Sequence, residues 1–244
     1  LLPLVLTRLP QPETPAQPRL RPRLAMDRSP LAAAAVVVAA LSSASFRMVG
    51  PIYGQEVGLS AGQIAWFLSA FVLGGALAQF PIGWLADKFD RRWVLIWLSA
   101  ASILSCAVTV MAAGMGTGAI FLAATLFGLT TFPIYSVAAS HAHDFAKSEE
   151  RVELSAALMF WFAVGAIFAP YLASVLIENY GPAALFGMIS IGHGVLVLFG
   201  LTRMRARPTA KKRTPYVYAP RTTFIIGRLM RRQRDNHSVG RKAP

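Results

Sequence analysis

Residues 87–92 carry five charges, Asp87, Lys88, Asp90, Arg91 and Arg92, between two stretches that carry none. Upstream, 57–86 contains no Asp, Glu, Lys or Arg, and downstream the same is true of 93–143. A helix rises about 1.5 Å per residue, so roughly 20 apolar residues cross about 30 Å of hydrocarbon. Uncharged runs of 30 and 51 residues do not suit a water-exposed bundle, whose helices need a polar face. The charged patch is therefore a hinge between two membrane helices, and the chain is expected to be an all-α, polytopic membrane protein.

Composition agrees with this and excludes other classes. Only 14% of residues are charged, against about 25% in a soluble domain. The net charge divides as +3 over 1–30, −1 over 31–203 and +11 over 204–244, so the basic balance belongs to two tails. No basic folded face is left to read nucleic acid. The lone Cys106 excludes an intrachain disulfide and a cysteine-built metal site. There is no Gly-x-Ser-x-Gly elbow, no cysteine pair and no embedded carboxylate pair, so neither an enzyme nor a cofactor is expected.

Residues 1–6 read as the stub of a preceding helix, not a signal peptide, because Pro and Arg follow where a small-residue cleavage site would stand. Residues 7–30, with six Pro and five Arg, read as a solvated linker. Six spans are expected at about 31–52, 61–85, 93–113, 119–140, 152–177 and 183–202, the second opening on a Ser60–Gln63 capping box. The loops 53–60, 114–118 and 178–182 lack Lys and Arg, whereas every other loop and both tails are basic. The positive-inside rule then puts both termini, the hinge and 141–151 in the cytoplasm. The basic tail, 204–244, suits attachment to anionic lipid of the inner leaflet around Phe224, Ile225 and Ile226.

Several polar residues fall within the expected spans. Arg47 lies about five residues from the outer end of the first span, after Ser42, Ser43 and Ser45. Two readings are open: it lines a solute path and favours an anionic or carboxylate-bearing solute, or it snorkels to the outer headgroups. Gln79 either meets solute or caps a backbone group freed by Pro81. Thr131 and Tyr135 near Pro133, and Trp161 before Pro170, complete a candidate cavity set with Arg47, Ser43 and Gln79. His193 suits either proton carriage or hydrogen-bonded packing. His141, His143 and Asp144 lack a fourth ligand, so no metal site is expected. Ser148, Glu149, Glu150 and Glu153 suit a helix start, where acceptors and negative charge meet unpaired amides. Asp87 is placed to pair with Arg91 or Arg92, or with a neighbouring helix N-terminus.

The hinge resembles the loop signature of the major facilitator superfamily, Gly-x-Leu-Ala-Asp-(Arg/Lys)-x-Gly-(Arg/Lys)-(Arg/Lys). Gly83, Leu85, Ala86, Asp87, Lys88, Arg91 and Arg92 match, while Asp90 stands where the second Gly is usual. Gly58-Leu59-Ser60, the Phe132-to-Ser136 stretch and the Pro182-to-Phe186 stretch are similar to the YcaD-type bacterial group of that superfamily. The resemblance, covering about 30–205, implies the C-terminal six-helix half of a twelve-helix transporter in a bacterial inner membrane. It implies transport of a small solute by alternating access and dependence on the N-terminal half, so that the chain alone is inactive. It also implies that Asp87 latches the halves, that helices one, two, four and five surround the cavity, and that the 148–153 helix start receives the other half's hinge. The residues alone leave a second reading, a six-helix membrane scaffold or assembly partner.

Overall fold

Capping chemistry sets the helix starts in the computed structural model, which describes residues 19–206. A short helix, α1 (Arg23–Arg28), ends at Ser29, whose hydroxyl accepts the Ala32 amide at 3.2 Å and opens α2 (Pro30–Glu56). Pro30 sits at the first helical position, where a missing amide costs nothing. Helix α3 (Ala61–Lys88) opens on the Ser60–Gln63 capping box. Helix α4 (Arg91–Ala112) opens on Asp90, whose carboxylate accepts the Arg92 amide at 3.0 Å. Asp90 has φ −62°, so no left-handed residue is needed where the related signature has glycine.

The stretch 119–140, read from the sequence as one helix, is two: α5 (Thr117–Thr131) and α6 (Pro133–His143). Pro133 has no amide to donate, so the ladder breaks at Phe132. A 3-10 turn (Ser148–Glu150) leads into α7 (Arg151–Tyr180), and α8 (Ala184–Ala206) follows. Helix α2 does not stop near Gly50 and Pro51; it runs on to Glu56, held by buried Val49 and Tyr53 and by the Tyr53 hydroxyl donating to the Thr109 carbonyl at 3.0 Å. Among the described residues there is no strand, and six rods are long and apolar enough to cross a membrane, α5 and α6 forming one of them.

Helix α2 packs on α7 and α8, α3 on α5, and α4 on α8 and α5. Glycines set the closest approaches. A Cβ added at Gly74 would stand 2.0 Å from the Thr125 carbonyl oxygen, and one at Gly128 would stand 1.9 Å from that of Phe71. The α3 and α5 backbones therefore touch without side chains between them. One end of the bundle has an aromatic core built on Phe46, Tyr53, Phe67, Phe71, Phe127 and Phe186, with the Phe46 and Phe71 rings 4.3 Å apart. The basic end is aliphatic, with Leu31, Val36, Leu95, Ile134, Leu154 and Leu158. His193, fully buried, hydrogen-bonds Ser42 through Nε2 at 2.8 Å and so ties α8 to α2.

The solvated linker expected over 7–30 is corrected in its last part. Leu24 and Ala25 of α1 are buried in the aliphatic core, and Trp161 Nε1 donates to the Pro22 carbonyl at 3.0 Å. The Arg28–Glu150 ion pair at 2.6 Å adds to these contacts in holding the segment. The expected stub at 1–6 and all of the expected 204–244 tail beyond residue 206 lie outside the described residues, while 204–206 continue α8.

Candidate functional site

A cavity of about 350 Å³ lies between α2, α3, α6 and α7. Ala39, Ser43 and Arg47 of α2 line it, one helical face in steps of four, with Gln79 of α3 opposite. Thr131, Phe132, Tyr135 and Ser136 come from the break between α5 and α6, and Met159 and Phe162 from α7. Thr131, Phe132, Tyr135 and Ser136 fall on one face because Phe132, between the two helices, keeps helical dihedrals.

Arg47 stands nine residues before the end of α2 at Glu56, so about 13 Å of helix separates it from that terminus. An arginine side chain reaches about half as far. Because α2 continues past Pro51 to Glu56, Arg47 is further from the helix end than the sequence suggests, and its exposed side chain lines the cavity. Its guanidinium carbon lies 5.3 Å from the Phe132 ring centroid, in cation–π range. Among the described residues Arg47 makes no ion pair, and no Asp or Glu lines the cavity. Pro51 also removes the amide that would bond the Arg47 carbonyl, so the local backbone keeps an acceptor.

The remaining polar groups differ in what they have left to offer. Ser43 donates to Ala39 and Thr131 to Phe127, each at 2.7 Å, so both present lone pairs. The Ser136 hydroxyl donates to Gln79 Oε1 at 3.4 Å, so the hydrogen bond Gln79 makes runs across to α6 rather than to the backbone near Pro81. The Tyr135 ring packs edge-on against Phe162 at 5.4 Å. Together these make a polar rim on an apolar wall, with a single fixed positive charge.

The structure brings Arg47, Ser43, Gln79, Thr131 and Tyr135 together, but not Trp161. The Trp161 indole is committed to Pro22 on another face of α7, whereas Met159 and Phe162, three residues apart, supply that helix's wall. Its place before Pro170 put Trp161 in the candidate set; the helical face it occupies was the missing criterion. Phe132, Met159 and Phe162 carried no polar signal.

At the hinge, Asp87 ends α3 and Arg91 begins α4. Arg91 donates to Asp87 at 3.1 Å, to the Ser140 carbonyl at 3.1 Å and to the Asp144 carboxylate. The Arg91 and Asp144 side chains are only 8% and 6% exposed, whereas Asp87 is 28% exposed. Asp144 was not picked out as an ion-pair partner, although it is the first charge after the 51-residue uncharged run. Arg92 turns away from Asp87 and pairs with Asp90 at 2.8 Å. Lys88 lies 4.8 Å from the Trp84 ring centroid. Gly83 faces open space, and Leu85 packs on the aliphatic core.

At the start of α7, Glu150 binds Arg28 at 2.6 Å and Glu153 binds Arg21 at 3.3 Å, while Ser148 and Glu149 stay exposed. His143 meets the Ser155 hydroxyl at 3.1 Å.

Comparison with known proteins agrees with this architecture. The sequence profile of the Major Facilitator Superfamily matches residues 32–234. An uncharacterized MFS-type transporter of Enterobacter sp. (strain 638) is 26% identical over 211 residues, 86% of this chain and 54% of that protein. The MFS-type transporter YcaD of Salmonella arizonae is 28% identical over 192 residues, 78% of this chain and 49% of that one. The chain thus spans about half the length of the curated relatives it matches. Among solved structures, the POT family transporter PepTSo superposes with TM-score 0.65 at 22% identity, covering 81% of this chain and 40% of that one. With six spans, no strand among the described residues and a superfamily profile along most of its length, the chain belongs to the major facilitator superfamily.

Proposed function

We propose that this chain is the C-terminal six-helix half of a twelve-helix secondary transporter that moves a small carboxylate-bearing solute by alternating access. The observation that carries the proposal is Arg47, a cation within a span, about 13 Å from its helix end, lining a cavity with no carboxylate. An uncompensated charge within a span is costly, and an anionic solute offsets the cost each time it binds. Met159 and Phe162 give the solute an apolar wall, and Ser43, Thr131, Gln79 and Tyr135 offer it a polar rim.

The Asp87–Arg91–Asp144 cluster sits at the basic end, which the positive-inside rule assigns to the cytoplasm of a bacterial inner membrane, with both termini on that side. There Asp87, the more exposed acid, is the member able to reach a facing helix of the other half and latch the closed state. The exposed Ser148 and Glu149, in the 3-10 turn before α7, offer the matching contact. Without the other half the chain does not transport.

Uptake by proteoliposomes of the native transporter, assayed with a panel of small carboxylates and their amides, tests the reading. Carboxylates are expected to be taken up, with Arg47→Gln raising the half-saturating concentration at least tenfold and Arg47→Lys restoring part of it. Equal affinity in wild type and Arg47→Gln would remove Arg47 from the solute site. Failure of every solute to move would remove the transport reading itself.

A further inference from the structure

Arg92 belongs to the hinge signature but not to the hinge cluster, and its surroundings point to a separate role. On the face away from Asp87, the start of α2, the first turn of α4, the end of α6 and the last turn of α8 enclose a void of about 20 Å³. Ser29, Arg92, His141 and Arg203 line it, with the Phe145 ring closing one side, edge-on to His141 at 5.3 Å.

Basic side chains outnumber acidic ones in the lining of this void. The Arg92 side chain, 9% exposed, pairs with Asp90, which is not part of the lining. Arg203 makes no ion pair among the described residues. The positive end of the 27-residue α2 also points here. The lining holds Arg92, His141 and Arg203 from three helices and no carboxylate, beside the N-terminus of α2 and the C-terminal turns of α6 and α8. A void needs roughly 10–15 Å³ to hold one water-sized atom, so this one admits a single oxyanion oxygen, not a whole solute. The ligand must be a group held outside that projects one charged oxygen inward.

We infer that this void is a phosphate-binding site, filled by the headgroup phosphate of an anionic phospholipid in the leaflet at the basic end of the bundle. All four contributing helix ends lie at that end of the spans, the depth at which a bilayer presents phosphate groups. Forked guanidinium donors suit phosphate oxygens, and an occupied site staples α2, α4, α6 and α8 together. The inference rests on the chain spanning a membrane and is independent of transport.

The test is thermal unfolding of the full chain in a neutral detergent, titrated with phosphatidylglycerol or phosphatidylcholine. Parallel titrations use inorganic phosphate against chloride at equal ionic strength. Phosphatidylglycerol, and not phosphatidylcholine, is expected to raise the midpoint. Arg203→Gln should weaken the apparent affinity about fivefold, matching about 1 kcal/mol per basic residue at an anionic surface. Arg203→Lys should recover part of that loss. Arg205→Gln, on the same last turn but not in the lining, should leave the affinity unchanged, which separates the site from a general helix-end charge effect. Millimolar phosphate that competes with the lipid supports the shared chemistry. Stabilisation by phosphate without any by phosphatidylglycerol would overturn the lipid assignment. Equal responses to the two lipids together with no response to phosphate, or an Arg203→Gln curve matching wild type, would overturn the site.

Discussion

Arg91 is held by two carboxylates of unequal burial, and the inequality predicts which one stability depends on. Asp144→Asn keeps the side-chain shape and one acceptor oxygen but removes the charge facing a guanidinium that is 8% exposed. Removing one partner of a buried pair costs about 3–5 kcal/mol. Asp87 still contacts Arg91 at 3.1 Å, which places the expected cost near the low end, about 3 kcal/mol. Asp87→Asn removes an acid that is 28% exposed and leaves the buried pair intact, so its cost should fall near the surface-pair value of about 1 kcal/mol or below. On soluble-domain scaling of about 2–4 °C per kcal/mol for this size, the melting temperature should fall about 6–12 °C for Asp144→Asn and no more than about 4 °C for Asp87→Asn. Thermal unfolding of both variants in one detergent reads the difference directly. If Asp87→Asn proved as damaging to the isolated chain as Asp144→Asn, the division into a structural acid and a free latch acid would be wrong. The same division predicts that Asp87→Asn in the intact transporter lowers uptake while expression stays normal; unchanged uptake would refute the latch.

Two further substitutions test the packing that shapes the cavity. Gly128→Ala puts a methyl where the Phe71 carbonyl oxygen would be 1.9 Å away, against backbone that cannot yield cheaply, and should cost about 3 kcal/mol or more, read as a lower melting temperature or lost monodisperse yield. Trp161→Phe keeps the ring but loses the bond to the Pro22 carbonyl; about 1 kcal/mol is expected, with faster amide exchange in Arg23–Arg28 and unchanged solute affinity, since Trp161 is not in the cavity lining.

What the sequence disclosed and what it withheld divide along physical lines. Long uncharged runs and their breaks report on lipid, a solvent that acts on every residue alike, so six spans were legible without tertiary information. The Ser60–Gln63 box was legible because its partners are three residues apart. Contacts between distant segments were not. Nothing local near Asp144 announces Arg91, 53 positions away, and nothing in the Pro/Arg-rich stretch announces that Leu24 and Ala25 are buried or that Trp161 binds Pro22.

Arg47 shows how a small boundary error changes a functional reading. Gly50 and Pro51 are helix-breaking residues, and a helix ending at 52 left Arg47 close enough to the surface to snorkel. Tyr53 decided otherwise: its ring joins the Phe46, Phe67 and Phe186 cluster and its hydroxyl reaches Thr109 on α4, and this packing carries the helix through Pro51 to Glu56. Four more helical residues put the helix end about 6 Å further from Arg47. Tyr53→Ala should therefore fray the last turn of α2 and bring the helix end nearer Arg47, read as faster amide exchange over 52–56; protection equal to wild type would refute the anchor.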